Sequence, residues 1–169
     1  MSKWLVVGNI VLLGMATGCQ IAPEAQDSSQ AGVDTPKGQD RTVERIIDGD
    51  TIVVRSGELV RLIGIDTPEV DQDACYSEEA TSFIRSLIPP GTAVRLVLDV
   101  ERSDRFGRTL AYVYRLNDGL LINAEIMRAG YAQILTVPPN VAHAEEFLEL
   151  QRQARNSDVG LWSACGSGT

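Results

Sequence analysis

The sequence predicts an α+β domain in which five short strands form a small Greek-key barrel with helices packed on it. Two observations carry this. Five segments rich in β-branched and aliphatic residues are bounded by turn residues. One helix-patterned segment falls between the third and fourth of them, and two more follow the fifth.

In chain order, Thr42–Ile47 reads as the first strand, and Asp48-Gly49-Asp50 as a turn. Thr51-Ile52-Val53-Val54-Arg55 is the second strand, and Ser56-Gly57 a hairpin turn. Glu58–Ile65 is the third strand, ended by Asp66-Thr67-Pro68. Pro68 has no amide hydrogen to donate and holds Thr67 extended. Val70–Cys75 is a polar loop. Ser77 is the expected N-cap of a helix running to Leu87, with Ala80, Phe83, Ile84 and Leu87 on one face. Pro89-Pro90-Gly91 stops it. Val94, Leu96 and Leu98 alternate with Arg95 and Val97, giving the fourth strand. Arg102–Gly107 is a charged loop, Thr109–Leu116 the fifth strand, and Asn117-Asp118-Gly119 a turn. Leu121–Ala129 is a short helix with Gly130 at its C-terminal stop. Tyr131–Val137 is extended and ends at Pro138-Pro139. Ala142–Arg155 is a long helix, with Ala144, Phe147, Leu148 and Gln151 near one side. The single histidine, His143, stands on that helix without a partner motif and reads as a structural or surface residue.

The N-terminus has a different composition. Lys3 is followed by an apolar run from Trp4 to Met15, then by Ala16-Thr17-Gly18 and Cys19. A short positive region, an apolar core and a small-residue cleavage site make the pattern of a secretory signal. The run is short for a bilayer span. Ala16-Thr17-Gly18-Cys19 also resembles a bacterial lipobox, in which Cys19 becomes the lipidated first residue; the other reading is an ordinary cleaved signal. Residues 20–40 are Pro, Gly, Gln, Ser and Asp with few large apolar groups, the composition of a flexible tether. The expected organisation is a signal peptide over 1–18, a tether over 19–40 and a folded domain over 41–169. The expected location is extracytoplasmic, on a bacterial membrane through Cys19, or otherwise secreted or periplasmic.

If Cys19 carries lipid, Cys75 and Cys165 remain as a pair, and export permits a disulfide between them. The alternative is two separate thiols. With one histidine and no CxxC, a zinc site is disfavoured. The chain carries a net charge of −8. Setting aside Lys3, Lys37, Glu24, Asp27, Asp34 and Asp40 leaves −6 for residues 41–169. That disfavours a large, permanent nucleic-acid-binding face. It leaves room for an enzyme that holds its substrate locally, through a metal and a few arginines.

Such a set stands between Asp48 and Glu69. Within 22 positions lie Asp48, Asp50, Arg61, Asp66 and Glu69, each beside an apolar segment or a turn. Carboxylates gathered near an arginine at strand ends point to a hard metal facing a phosphate. Each residue alone has a plainer role: Asp48 and Asp50 as turn formers, Asp66 as a cap, Glu69 as a solvated loop charge, Arg61 and Arg108 as surface ion-pair partners.

Asp48-Gly49-Asp50-Thr51, Arg61-Leu62-Ile63-Gly64-Ile65-Asp66-Thr67-Pro68-Glu69, Asp104-Arg105-Phe106-Gly107-Arg108, Leu121-Ile122-Asn123 with Gly130, and Gly160-Leu161-Trp162 occur in order. Together they resemble the staphylococcal-nuclease-like (thermonuclease) family over about residues 42 to 165. The resemblance implies a five-stranded OB-fold barrel with three helices. It implies a Ca²⁺-dependent phosphodiesterase that cleaves DNA and RNA to 3′-phosphate ends. By position, Asp50 and Asp66 would give carboxylate oxygens to Ca²⁺ and Thr67 its backbone carbonyl, with Asp48 behind them. Glu69 would be the general base, and Arg61 and Arg108 would hold the scissile phosphate. The expected partners are DNA and RNA substrates and the membrane, for a monomeric protein. The other function weighed is a non-catalytic OB-fold module that binds nucleic acid at the cell surface; relatives in that role lose the carboxylates that this chain keeps.

The chain departs from the family's best-known member where nucleotides are seated. Thr136, Val137 and two prolines stand in a segment where that member has tyrosines, and Phe106 replaces a tyrosine beside the phosphate arginine.

Overall fold

The computed structural model describes residues 35–70 and 74–166. The signal peptide, Cys19 and most of the tether lie outside the described residues. Five strands close into a barrel in the order β1-β2-β3-β6-β5: β1 (Gln39–Ile46), β2 (Thr51–Val54), β3 (Leu59–Leu62), β5 (Ala93–Val97) and β6 (Thr109–Arg115). β1 takes in Gln39 and Asp40, which composition alone assigns to the tether, and Arg95 clasps Asp40 through Nε and Nη2 at 2.6 and 3.0 Å.

Closure depends on β1 pairing twice. Gln39–Thr42 runs antiparallel to β5, while Val43–Ile46 runs antiparallel to β2. The register shifts between Val43 and Arg45, a bulge that bends the strand from one neighbour to the other. β3 pairs in parallel with β6 and completes the ring. Inside are Val43, Ile52, Val54, Val60, Leu62, Val94, Leu96, Ala111 and Val113, all fully or nearly fully buried. Each large side chain taken from water stabilises by roughly 1.5–3 kcal/mol.

The third expected strand, Glu58–Ile65, is two strands. It breaks at Ile63, and β4 (Gly64–Asp66) leaves the barrel to pair with β7 (Gln133–Leu135) in a separate two-stranded sheet. Gly64 has φ +83°, and a Cβ there would stand 2.7 Å from the Phe147 ring. Only glycine allows both that turn and that approach. Asn123, fully buried, holds the break: its Nδ2 donates to the Ile63 carbonyl at 2.9 Å, and its Oδ1 accepts from the Val113 amide at 2.9 Å.

Among the described residues four helices accompany the barrel where three were expected: α1 (Ser77–Leu87), α2 (Ile122–Arg128), α3 (Ala144–Asn156) and a one-turn α4 (Leu161–Ala164). A four-residue helix is too short to show a period. Ser77 is not the N-cap of α1. Tyr76 holds that position in the left-handed region, and Ser77 is buried inside the first turn. The buried stripe of α3 is Phe147, Leu150 and Ala154, while Gln151 accepts from the Ile134 amide at 2.7 Å. His143 caps α3 and stacks on Phe147, with ring centroids 5.5 Å apart. A disulfide joins Cys75 to Cys165, Cα atoms 5.8 Å apart, across 90 positions. Among the described residues no helix is long and apolar enough to cross a membrane.

Candidate active site

The bend Asp48–Asp50 and the end of β4 meet at the rim of the barrel. The Asp48 side chain accepts the Asp50 amide at 3.0 Å, which shapes the turn. Asp50 is therefore aimed inward and is only 3% exposed. Its Oδ1 accepts from the Thr51 hydroxyl at 3.0 Å. Its Oδ2 accepts from the Thr67 amide at 2.9 Å and the Thr67 hydroxyl at 3.2 Å. Gly49 stays small because a Cβ there would lie 2.7–2.8 Å from the Thr67 side chain.

Arg61, on β3, is the centre of the cluster. Nη2 pairs with Asp50 Oδ2 at 3.1 Å and with Asp66 Oδ1 at 2.8 Å. Nη1 donates to the carbonyls of Leu62 and Ile65 at 3.0 and 2.8 Å. A guanidinium fits this set because its planar fork presents several donors in fixed directions. Asp66 differs from Asp50 in being half exposed. Burial pushes the Asp50 carboxyl up to about 7, against the pull of Arg61 and with the added repulsion of Asp48.

Two aspartates thus share one guanidinium, a third stands beside the buried one, and the buried one is short of positive charge. All the facing donors are hard oxygens, which is the chemistry a Ca²⁺ ion takes. Among the described residues no three His, Cys, Asp or Glu side chains converge closely enough to cage a metal by themselves. Two carboxylates with the Thr67 carbonyl and water are a set compatible with a calcium site.

Arg61 also lines a groove of about 460 Å³, and Arg108 is among the other residues that line it. Phe106, Leu135 and Val137 form exposed apolar walls. Arg108 is held by Asp104: its Nε donates to Asp104 Oδ2 at 2.6 Å, while Asp104 Oδ1 accepts the Phe106 and Arg108 amides at 2.9 and 3.0 Å. These donors and the Arg108 charge hold the Asp104 carboxyl below its usual value despite partial burial. The positioning role of Asp104 is absent from the sequence-level site. Its signal is an aspartate three residues before a glycine, the pattern of a tight turn. Arg105 covers the Phe106 ring at 4.7 Å.

The structure therefore brings Asp48, Asp50, Arg61, Asp66 and Thr67 into one cluster, with Arg108 lining the same groove as Arg61. Glu69 is an exposed residue three positions past Asp66, and its carbonyl accepts the Ala74 amide at 3.3 Å. It lies outside the lining of the groove.

A closed five-stranded barrel with acids and arginines gathered on one rim defines an OB-fold α+β protein of the nuclease-like class. Comparison with known proteins places it further. The family described as staphylococcal nuclease homologue matches residues 59–164, a span that includes Arg61, Asp66, Thr67, Glu69 and Arg108. The chain is 32% identical to the thermonuclease of Staphylococcus hyicus over 166 residues, 94% of each protein. It is 35% identical to the thermonuclease of Staphylococcus intermedius over 133 residues, 75% of this chain and 77% of that one. It is 32% identical to endonuclease YncB of Bacillus subtilis (strain 168) over 154 residues, 83% of this chain and 72% of that one. The chain belongs to the staphylococcal nuclease family.

Proposed function

We propose that this protein is a Ca²⁺-dependent nuclease that hydrolyses DNA and RNA with little sequence preference, leaving 3′-phosphate ends. The observation that carries the reading is the placement of Arg61, which pairs with two carboxylates and also lines the groove where Arg108 stands. Family membership and the names of the thermonuclease and endonuclease relatives support it.

Asp50, Asp66 and the Thr67 carbonyl would hold the ion. When bound, it would offset the carboxylate charge and polarise a phosphoryl oxygen. Arg61 and Arg108 would clamp the scissile phosphate from two sides and stabilise charge developing on it, where one donor is worth about 3–4 kcal/mol. Glu69 would take a proton from the attacking water. The new P–O bond replaces the bond to the 5′ oxygen, and the products are a 3′-phosphate and a 5′-hydroxyl. The groove's apolar walls offer few groups to read base edges, which fits weak sequence preference.

The same proposal includes export, a signal peptide over 1–18, a tether from Cys19, lipid attachment at Cys19 and a monomeric state. These rest on the N-terminal sequence pattern; mass spectrometry of the mature N-terminus tests the lipid. The activity is tested by digesting single-stranded DNA and RNA with Ca²⁺ and then with chelator, with end-group analysis. Cleavage with Ca²⁺ that stops in chelator and leaves 3′-phosphates is expected. Undiminished cleavage in chelator would overturn the mechanism.

A further inference from the structure

We propose that Asn140 is a positioning residue for substrate. Its side-chain amide ties the turn 137–140 to Glu101 and so holds Val137 as a fixed wall of the groove, against which an unpaired base rests. The proposal rests on the reading of the groove as the seat of a nuclease substrate.

Asn140 stands among exposed neighbours, yet it is only 5% exposed itself. Its Oδ1 accepts from the Glu101 amide at 2.8 Å, and its Nδ2 donates to the Glu101 carbonyl at 2.8 Å. One side chain thus answers both backbone groups of a single residue, as a neighbouring strand would. With both polar ends bonded, the amide can be buried at little cost.

The link joins a fixed segment to a wall. Residues 99–102 are fastened to β6 without Asn140: Asp99 Oδ2 accepts from the Tyr112 hydroxyl at 3.1 Å, and the Arg102 carbonyl accepts the Leu110 amide at 2.9 Å. On the other side, the Asn140 amide donates to the Val137 carbonyl at 3.1 Å and closes a four-residue turn. Pro138 and Pro139 fill its centre, and their rings restrict φ. The turn therefore moves as one piece, and what holds Asn140 holds Val137. Val137 is 56% exposed and lies outside the buried core. Three further holds flank the turn: Leu135 pairs with Gly64, the Ala142 amide reaches Asp99 Oδ2 at 3.2 Å, and α3 begins at Ala144. They keep the chain on either side in place, while the Asn140 side chain fastens the turn from within.

Val137 and Asn140 line the groove from this turn, and Glu101, Phe106 and Arg108 line it from the loop between β5 and β6. Asn140 therefore sets the relation between two loops that make the groove. Apolar and aromatic walls offer contact to the face of any base and read no base edge. A wall held in place beforehand costs a bound strand less ordering than one that must be gathered. The consequence falls on binding rather than on the chemical step, because Arg61, Asp50, Asp66 and Thr67 are held by bonds of their own.

The test compares the wild type, Asn140→Ala, Val137→Ala and the double variant. Each is melted by circular dichroism and assayed with Ca²⁺ on two single strands: ordinary DNA, and an oligomer of the same length built of abasic residues. Asn140→Ala is expected to keep its spectrum and to melt no more than about 8 °C lower, the scale of two lost hydrogen bonds. On DNA its KM should rise about fivefold, the low end for one stacked base, with kcat within about twofold. On the abasic oligomer its KM should match that of the wild type within about twofold, which a general loosening of the fold would not allow. Val137→Ala, at an exposed position, should fold as the wild type does and raise KM on DNA alone. The double variant should lose less than the product of the two single losses. Equal losses on both substrates, an unchanged KM on DNA in either single variant, a full product in the double variant, or loss of the folded spectrum in Asn140→Ala would each overturn the proposal. A wild type that cleaves neither substrate would instead overturn the reading of the protein as a nuclease, a separate failure.

Discussion

Arg61 belongs to two surroundings: a cluster with Asp50 and Thr67, both almost sealed from solvent, and a groove walled by Phe106, Leu135 and Val137, all well exposed. The sealed side holds each Asp50 oxygen with at least one donor and leaves its charge underbalanced. The groove side offers apolar surface with Arg105 and Arg108 on one tight turn, Arg108 held there by Asp104. The contrast separates two tasks. The buried side couples function to stability, because its groups cannot change without leaving a buried charge or polar atom unpaired. The groove side can vary in how it seats a nucleotide at little cost to the fold.

The largest effect is expected from Arg61→Ala. Breaking a buried pair from one side costs about 3–5 kcal/mol, because the partner charge is left uncompensated. Loss of a phosphate donor should also lower kcat/KM by at least about 10²-fold. Urea unfolding and steady-state kinetics measure both. A variant as stable as the wild type would break the comparison.

Next is the pH dependence of the metal-free protein. The Asp50 carboxyl in the folded state is pushed by burial up to about 7 from its ordinary 3.8. Between those values the folded chain binds more protons than the unfolded one, so stability falls as pH rises. The stabilisation is complete below pH 3.8 and is lost as pH rises through 7. By linkage the loss is on the order of 4 kcal/mol. Denaturant melts of the wild type and Asp50→Asn should show the slope in the first and a flatter profile in the second. Identical slopes would remove Asp50 as its source.

The smallest effect is expected from Phe106→Ala. The ring is 68% exposed and carries no core contact, so the melting temperature should stay unchanged. Binding of single-stranded substrate should weaken by about 1 kcal/mol, the low end for a stacked base. A drop in stability instead would mean that the groove wall is part of the fold.

The same division explains what could be read from the sequence. Asp50, Arg61 and Asp66 stand out because their spacing on short strands and turns brings them to one rim. The barrel strands are legible from alternation and turn residues. The break of the third strand at Ile63 is not, because the groups that meet it, Phe147 against Gly64 and Asn123 on the Ile63 carbonyl, come from far along the chain. The start of α1 shifts for a similar reason: Tyr76 takes the cap position while stacking on Tyr131, and Ser77 turns inward. Asp104 acts through two backbone amides and a guanidinium that only the folded turn collects.

The most direct test of the carboxylate cluster as an ion site is the melting temperature with and without Ca²⁺, in the wild type and in Asp66→Asn. Asp66 is half exposed, so the variant is expected to fold. A ligand that binds only the folded state raises the midpoint, and at one hundred times its Kd it adds about 2.7 kcal/mol. Ca²⁺ should raise the wild-type midpoint and leave that of Asp66→Asn nearly unmoved. No rise in the wild type, or an equal rise in both, would contradict the assignment of Asp50, Asp66 and Thr67 as the calcium site.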